Sequence, residues 1–343
     1  MSAPAKVVCL GEIMLRLSPP GYLRFIQAES FDVTYGGGEA NVAVSLAGFG
    51  LDSYYVTKVP KNPLGLAAVN HLRRFGVKTD LVAWGGDRLG IYCLENGAAQ
   101  RASKVVYDRA GSSVSQARPE DFDWGAILAG CSWFHITGIT PAISPLASEL
   151  TLEAVARARA AGCTVSCDLN FRKNLWSPAR AGEVMGEVMK SVDVCVANEE
   201  DAEKVFGIQA AASDVSAGRL DSAGYREVAA ELQRRFGLKH VAITLRESQS
   251  ASDNGWSGLL YDGTVFYESR RYQIHVVDRV GGGDAFAAGL IYSLLRGRGP
   301  QDAVEFAAAA SCLKHSVVGD FNMVTVDEVE ALVKGDASGR VQR

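Results

Sequence analysis

Three glycines stand directly before an aspartate in the segment VDRVGGGDAFAAGL, which runs from Val277 to Leu290. Glycine lets successive backbone N–H groups face an anion, and the N-terminus of a following helix adds about half a positive charge. This arrangement suits a phosphate. A carboxylate serving only as a phosphate ligand would repel it, so Asp284 is better explained as a base that takes a proton from an attacking hydroxyl. The plainer alternative is an acid that complements the helix dipole.

A second glycine run, YGGGEANVAVSLAGFG, lies far upstream between Tyr35 and Gly50. Transfer of a phosphoryl group needs two pockets, and two such runs favour that interpretation. Neither run contains GxxxxGK[ST], and the dinucleotide pattern GxGxxG fails at Phe286 and at Asn41. A dinucleotide-dependent dehydrogenase is therefore disfavoured.

Two arginines and a tyrosine could bind an acidic ligand. Tyr107 and Arg109 alternate along a predicted strand, which puts both side chains on one face. Arg172 follows the predicted strand TVSCDLN at its carboxyl end, where α/β sheets bind ligands. Two guanidinium groups and a phenol in one pocket suit a carboxylate, through charge-assisted bonds. Two alternatives stay open: Arg109 as a solvated charge, and Arg172 as a phosphate ligand.

These residues must be positioned by an α/β fold. Short apolar runs such as KVVCLG, WFHITG and HVAITL alternate with helical patterns that often end at glycine. This alternation predicts a doubly wound, mostly parallel sheet flanked by helices. Two segments, at about residues 12–35 and 85–113, lack a helical period and predict a small β-sheet that acts as a lid. We expect one domain over residues 1–343, with a frayed tail at 335–343.

Composition limits the partners. The chain has 343 residues, 48% of them hydrophobic and 22% charged, with a net charge of -4 and no run of Lys or Arg. We expect small ligands and neither nucleic acid nor a membrane as partner. The N-terminus lacks the apolar core of a signal peptide, and the seven scattered cysteines suit reduced thiols. A cytoplasmic location is expected.

Both glycine runs resemble a known family. DRVGGGDAFAAGL looks like the C-terminal signature DTxGAGDxF of ribokinase-like (PfkB) sugar kinases, and GGGEANVAVSLAGFG is similar to their N-terminal motif GGxxxNxA. The order and separation of the motifs and the intervening VANEEDAE match as well. Within the family, the segments MLRLSPPGYLRF, YDRAGSS, DLNFRKNLW and RESQSASDNGW are similar to those of 2-keto-3-deoxygluconate kinases.

The resemblance implies a ribokinase-like fold and a kinase that uses ATP and Mg²⁺. The implied reaction phosphorylates the terminal hydroxyl of a 2-keto-3-deoxy sugar acid (2-dehydro-3-deoxy-D-gluconate) and gives the 6-phosphate. A fructokinase-like or ribokinase-like kinase of a neutral sugar is the alternative. A catalytically silent sensing module is a third possibility, disfavoured because Asp284 is retained. The resemblance also implies a homodimer or higher homo-oligomer that pairs through the lid.

The family motifs also imply residue roles. Asp284 would be the base, and the backbone at Gly281, Gly282 and Gly283 would stabilise the transferred phosphoryl group. The substrate set comprises Gly36 against the sugar, Asn41 near its hydroxyls, Tyr107, Arg109, Arg172, Asp284 and Asp320. The nucleotide set comprises Asn170, Arg172, Asn198, Thr244, Gly281, Gly282 and Gly283. Asp201, in place of a glutamate, would hold magnesium through water.

Departures from the family pattern fall near the nucleotide. Arg279 replaces a threonine and Gly282 an alanine, so the glycine loop would be looser or would carry an extra phosphate contact. After Thr244, the segment LRESQSASDNGWSG replaces a short glycine-rich turn and is expected to form the nucleotide loop. The alanine-rich segment AVEFAAAASCLKHS would form a wall of the adenine site.

Overall fold

A computed structural model describes residues 4–198, 200–209 and 222–336. In chain order, its strands are β1 (Lys6–Leu10), β2 (Met14–Ser18), β3 (Asp32–Gly36), β4 (Asp52–Val56), β5 (Lys58–Val59), β6 (Ala83–Trp84), β7 (Gly90–Glu95), β8 (Lys104–Asp108), β9 (Cys131–Thr137), β10 (Thr164–Asp168), β11 (Val194–Asn198), β12 (His240–Ser248), β13 (Asp253–Tyr261), β14 (Phe266–Glu268) and β15 (Tyr272–His275). Of the tail predicted at 335–343, residues 337–343 lie outside the described residues.

The helices follow the strands in an alternating order. They are α1 (Gly38–Gly48), α2 (Pro63–Arg74), α3 (Trp124–Leu128), α4 (Pro145–Ala160), α5 (Pro178–Met189), α6 (Asp201–Phe206), α7 (Ser222–Phe236), α8 (Gly282–Leu295), α9 (Pro300–Lys314) and α10 (Val326–Val333). Several begin where the sequence supplies a cap and a proline. At α4, for example, the Ser144 side chain accepts a hydrogen bond from the backbone N–H of Ala147, and Pro145 is the first helical residue.

The main sheet has the order β14-β13-β12-β11-β10-β9-β1-β4, and β15 also pairs with β13. The pairs from β4 to β12 are parallel, whereas β13 runs antiparallel to β12, β14 and β15. The predicted doubly wound, mostly parallel sheet is therefore confirmed.

Helices cover both faces of this sheet. Along β1, Val7 and Cys9 belong to the apolar core that includes α1, α8 and α9, whereas Val8 and Leu10 belong to the core under α4, α5 and α7. Because successive side chains of a strand point to opposite faces, a strand buried on both sides must be apolar throughout. The run KVVCL satisfies that requirement.

The small sheet has the order β3-β2-β7-β8 and is built from the two segments predicted to lie outside the main sheet. Strands β2 and β7 pair in parallel, and β3 and β8 flank them in antiparallel orientation. The prediction of a second, small sheet is thus confirmed. Within the part of the chain that the structure describes, no helix is long and apolar enough to cross a membrane.

Candidate active site

A cavity of about 530 Å³ lies where the carboxyl ends of β10, β11 and β12 meet the N-termini of α1 and α8 and the small sheet. Most of the predicted site residues line it: Asn41, Tyr107, Arg109, Asn170, Arg172, Asn198, Thr244, Gly281, Gly282, Gly283, Asp284 and Asp320. Gly36 and Asp201 do not line it. The two glycine runs, 243 residues apart at Asn41 and Asp284, converge on one space.

The downstream glycine run forms the start of α8. Gly281 caps the helix with a φ of 87°, in the left-handed region, and a side chain there would overlap the backbone carbonyl of Asp320. Gly283 faces open space, with no atom within 4 Å of the position a Cβ would take. The three glycines therefore line the cavity at the positive end of a helix, with the Gly282 N–H donating to the Arg279 carbonyl at 3.3 Å.

Asp284 lies in the first turn of α8, beside these glycines. The Asn41 side-chain amide donates a hydrogen bond of 2.6 Å to its Oδ2. Burial raises the pKa of Asp284 to about 6, while the bond from Asn41 and the charge of Arg172 limit that rise. A carboxyl group with a pKa of about 6 is ionised at neutral pH yet accepts a proton readily, which suits a general base.

Asn41 and Gly36 have different surroundings from those expected. The Asn41 amide is already bonded to Asp284, and its oxygen accepts from the backbone N–H of Gly37 at 3.3 Å. A side chain at Gly36 would overlap the Asp320 carboxylate, and the contact of Gly36 with the sugar stays a prediction. Gly37 and Gly38 line the cavity instead.

Asp320 is buried and held from the small sheet. Arg16 donates to its Oδ1 at 2.5 Å and the Tyr92 hydroxyl donates to its Oδ2. Arg16 also donates to Asp278 at 2.6 Å, just before the downstream glycine run. Arg16 thus links the small sheet to the downstream glycine run, and Asp320 still borders the cavity.

Arg109 is buried rather than solvated, so the alternative of a solvated charge is wrong. It forms an ion pair with Glu12, whose other oxygen accepts from Ser112 at 2.7 Å. The Nε of Arg109 is buried with no hydrogen-bond partner, and its guanidinium lies 5.5 Å from the Tyr107 ring centre. A buried donor without a partner is costly unless a ligand satisfies it. Sequence reasoning missed Glu12, and its place just after β1 was the available signal.

Asp168, at the end of β10, is a second cavity residue that sequence reasoning missed. Burial raises the pKa of this carboxyl group well above its usual value, with the charges of Asp201 and Asp284 adding to the rise. Asn170 follows with a φ of 40°, and exposed Arg172 lies beyond it. The motif DLN places polar groups where parallel strands end.

Asp201 ties loops together behind the cavity. Its two oxygens accept hydrogen bonds from the backbone N–H groups of Phe171, at 3.0 Å, and Asn198, at 3.1 Å. Burial raises the pKa of Asp201, and these bonds oppose the rise. Both oxygens of Asp201 are thus engaged by backbone N–H groups and the side chain does not line the cavity, so its magnesium role stays a prediction. Asn198, which does line the cavity, accepts from the backbone of Glu200 and Asp201.

Another part of the cavity wall is basic. Thr244, Arg246 and Trp256 line it beside Arg279, whose guanidinium donates to the carbonyl of Ala251 at 3.0 Å. Burial, and then the charge of Arg246, lower the pKa of Arg279. Two neighbouring guanidinium groups here suit a polyphosphate.

The segment expected to form a nucleotide loop is mostly strand. β12 continues to Ser248 and β13 begins at Asp253, so the connection is only residues 249–252. The helix expected to wall the adenine site packs mainly against α8. α9 packs against α8 so closely that a side chain at Gly289 would lie 2.8 Å from the Ala307 Cα, and no residue of α9 lines the cavity.

The glycine loop is not looser for having Gly282. A Cβ at Gly282 would lie 2.5 Å from Cε1 of His315, which is buried and fills that space. The Ser311 hydroxyl donates to the Gly282 carbonyl at 2.6 Å. Burial lowers the pKa of His315 to about 4, so the ring is neutral at physiological pH.

Comparison with known proteins agrees with this geometry. The profile of the pfkB family carbohydrate kinases matches residues 4–325. The chain is 35% identical over 336 residues to the 2-dehydro-3-deoxygalactonokinase of Haloferax volcanii, covering 98% of each. The crystal structure of the 2-dehydro-3-deoxygluconokinase of Thermotoga maritima superposes with a TM-score of 0.93 at 54% identity, over 96% of this chain and 100% of that one.

A more distant structure shares the fold. A putative ribokinase II from E. coli, in complex with ATP and Mg²⁺, superposes with a TM-score of 0.80 at 18% identity, over 96% of this chain and 99% of that one.

Proposed function

Because this chain belongs to the pfkB family of carbohydrate kinases, we propose that it transfers the γ-phosphoryl group of ATP to the terminal hydroxyl of 2-dehydro-3-deoxy-D-gluconate. The product is the 6-phosphate. One observation carries the proposal: Asp284 stands at the start of α8, directly beside three glycines whose backbone faces the same cavity.

The chemistry follows from these two neighbours. Asp284 accepts the proton of the terminal hydroxyl as that oxygen attacks the γ-phosphorus in line, and the bond to the leaving ADP breaks. The N–H groups at Gly281, Gly282 and Gly283 stabilise the charge on the transferred group. The Asn41 amide fixes the orientation of the Asp284 carboxylate. A positioned base contributes about 100 to 10,000-fold to the rate, and the N–H groups and substrate alignment supply the rest.

The residues present also fit a magnesium ion. Mg²⁺ keeps several waters and takes one or two carboxylates together with substrate phosphates. Asp168 faces the cavity, and Asn198 adds an amide side chain. When bound there, the ion would neutralise phosphate charge.

Arg109 and Arg172 support an acid as substrate. Arg109 and Tyr107 lie side by side on the cavity wall, and the exposed Arg172 borders the same cavity. The ion pair between Arg109 and Glu12 supports the alternative, because that arginine is already neutralised and a neutral sugar would then suffice. A kinase of neutral sugars is therefore the second candidate.

A coupled assay of ADP release decides between them. The panel contains 2-dehydro-3-deoxygluconate, its galactonate epimer, fructose and ribose, each with ATP and Mg²⁺, and Asp284→Asn serves as the inactive control. We expect turnover with a sugar acid and at least a hundredfold lower kcat/KM with the neutral sugars. Equal rates on fructose would refute the acid specificity. Turnover of no sugar by the unaltered protein would refute the kinase itself.

We further propose that the small sheet is a lid within a single kinase domain and that a second copy of the chain covers it. Val33 is 58% exposed and Val106 57% exposed on its two edge strands, and both lie on the same face of the sheet. Apolar residues grouped on sheet edges favour a partner. Sedimentation velocity measures whether two copies of the chain associate in solution. The seven cysteines are free thiols, which supports a reducing, cytoplasmic location.

A further inference from the structure

Lys314, the last residue of α9, is fully buried directly beneath the glycine loop. Its ammonium donates to three backbone carbonyls, those of Gly319 at 2.6 Å, Val317 at 3.1 Å and Asp278 at 3.3 Å. A fully buried lysine is rare unless its charge is compensated. It does not line the cavity, and the proposed chemistry gives it no role.

The hydrogen bonds identify the protonation state. Three carbonyl acceptors need three N–H donors, which only the ammonium form supplies, because a neutral amine would turn a lone pair toward one carbonyl. Burial lowers the pKa of Lys314, whereas the carboxylates of Asp278, Asp320 and Asp284 raise it and Arg16 lowers it further. Arg16 and Lys314 together balance the charges of Asp278 and Asp320 in one buried cluster.

The three carbonyls belong to two segments that shape the anion-binding loop. Asp278 precedes Val280 and the glycines, and the turn at 317–319 precedes Asp320, whose carbonyl lies against Gly281. The Cε of Lys314 lies 3.1 Å from the position a Gly281 Cβ would take. The ammonium therefore holds both sides of the loop and places a fixed positive charge behind it.

We propose that Lys314 is a positioning residue for phosphoryl transfer: an internal cation that holds the two segments so that the N–H groups of Gly281 to Gly283 face the transferred group. This inference rests on the proposed kinase function. A purely structural tie would act on stability alone. A cation in this place also acts on Asp284 through its charge.

The test compares Lys314→Met with Ser311→Ala. Methionine has nearly the same length without the charge, whereas Ser311→Ala removes a neutral tie to the same loop, the hydrogen bond to the Gly282 carbonyl. Both are assayed for kcat and KM with the best sugar of the panel between pH 5 and 9, and for thermal unfolding and ATP affinity.

For Lys314→Met we expect kcat to fall about 100-fold or more, with the KM for the sugar changed less than about threefold. The acid limb of the kcat–pH profile of Lys314→Met should move to higher pH, because the charge of Lys314 lowers the pKa of Asp284 in the unaltered protein. The other groups acting on that carboxyl group, namely Asn41, Asp320 and Arg172, are unaltered. Ser311→Ala should lose rate without moving the limb. Added ethylammonium should restore part of the activity of Lys314→Ala, and sodium chloride of equal ionic strength should not.

A Lys314→Met protein as active as the unaltered protein would overturn the inference. So would a folded Lys314→Met protein whose kcat–pH profile keeps its acid limb at the same pH. Should both lysine variants fail to fold, ¹⁵N-lysine NMR of the unaltered protein decides: a slowly exchanging ammonium signal at pH 8 is expected, and its absence overturns the proposal. Unaltered protein that turns over no sugar would reject the kinase function, whereas active unaltered protein with an equally active Lys314→Met would reject this inference alone.

Discussion

Replacing Asp284 by asparagine should remove turnover and at the same time stabilise the folded protein above pH 6. Burial raises the pKa of Asp284 from 3.8 to about 6. The folded state therefore holds the proton more tightly than the unfolded chain does. Above pH 6 the ionised carboxylate destabilises the fold, this penalty shrinks as the pH falls toward 4, and below that it is absent. Asparagine has the same shape, and its oxygen can still accept the Asn41 hydrogen bond.

The magnitude follows from the two pKa values. About two pH units correspond to about 3 kcal/mol. That figure is an upper limit, because the Asp284 carboxylate is partly exposed to the cavity and solvent weakens the effect. We expect Asp284→Asn to gain about 1 to 3 kcal/mol at pH 8 and almost nothing at pH 4, while kcat falls about 100 to 10,000-fold.

Urea unfolding at pH 4 and pH 8 measures the gain, and the ADP-release assay measures turnover. Asp278→Asn is the matched control, because it also removes a buried carboxylate beside the glycine loop. Asp278 is paired with Arg16, so this variant should lose stability. An Asp284→Asn protein that is no more stable than the parent at pH 8, or that gains equally at both pH values, would refute the pKa and its cause. A fully active variant would remove Asp284 as the base.

Three further outcomes follow from the site. The kcat/KM of the unaltered protein should fall tenfold per pH unit below about 6, because Asp284 must be ionised to act, and a flat profile between pH 5 and 8 would contradict this. Arg109→Ala should raise the KM for the sugar acid about 10- to 150-fold, the loss of about 1.5 to 3 kcal/mol, with the KM for ATP unchanged; an unchanged sugar KM would count against a carboxylate contact. Gly282→Ala should destabilise the protein by about 1 to 3 kcal/mol in urea unfolding, because the new methyl group meets His315, and adding His315→Ala should recover much of that loss; strictly additive effects would disprove the contact.

The sequence predicted the main sheet well because buried parallel strands must be apolar throughout. β1 and β12 begin at the first residue of their apolar runs, and β9 begins two residues before its run. The antiparallel strands β13 and β15 were missed. The β13 segment DNGWSGLLY contains polar residues and glycine, and it pairs with β12 on one side and with β15 on the other.

For the site, the sequence and its family motifs predicted most of the residues that line the cavity, but not the side chains that hold them. Backbone requirements are local, so the need for glycine at 281 is visible in the sequence. Side-chain partners are not local: Arg16 and Asp320 are 304 positions apart, and Arg109 and Glu12 are 97 apart. The same limit applies to Asp168 and Asp201, since both acids lie near strand ends and only the fold shows which one faces the cavity.

Both glycine runs approach a single residue, Asp320, closely: Gly36 its side chain and Gly281 its carbonyl. Arg16 and Tyr92, on the small sheet, donate hydrogen bonds to the Asp320 carboxylate. In a library of shuffled relatives, the first hundred and the last seventy residues should therefore be inherited together. Crossovers between residues 112 and 277 should be tolerated when they exchange the middle of the chain alone. Chimaeras that draw the two ends from different parents should lose folding or activity wherever these five positions differ.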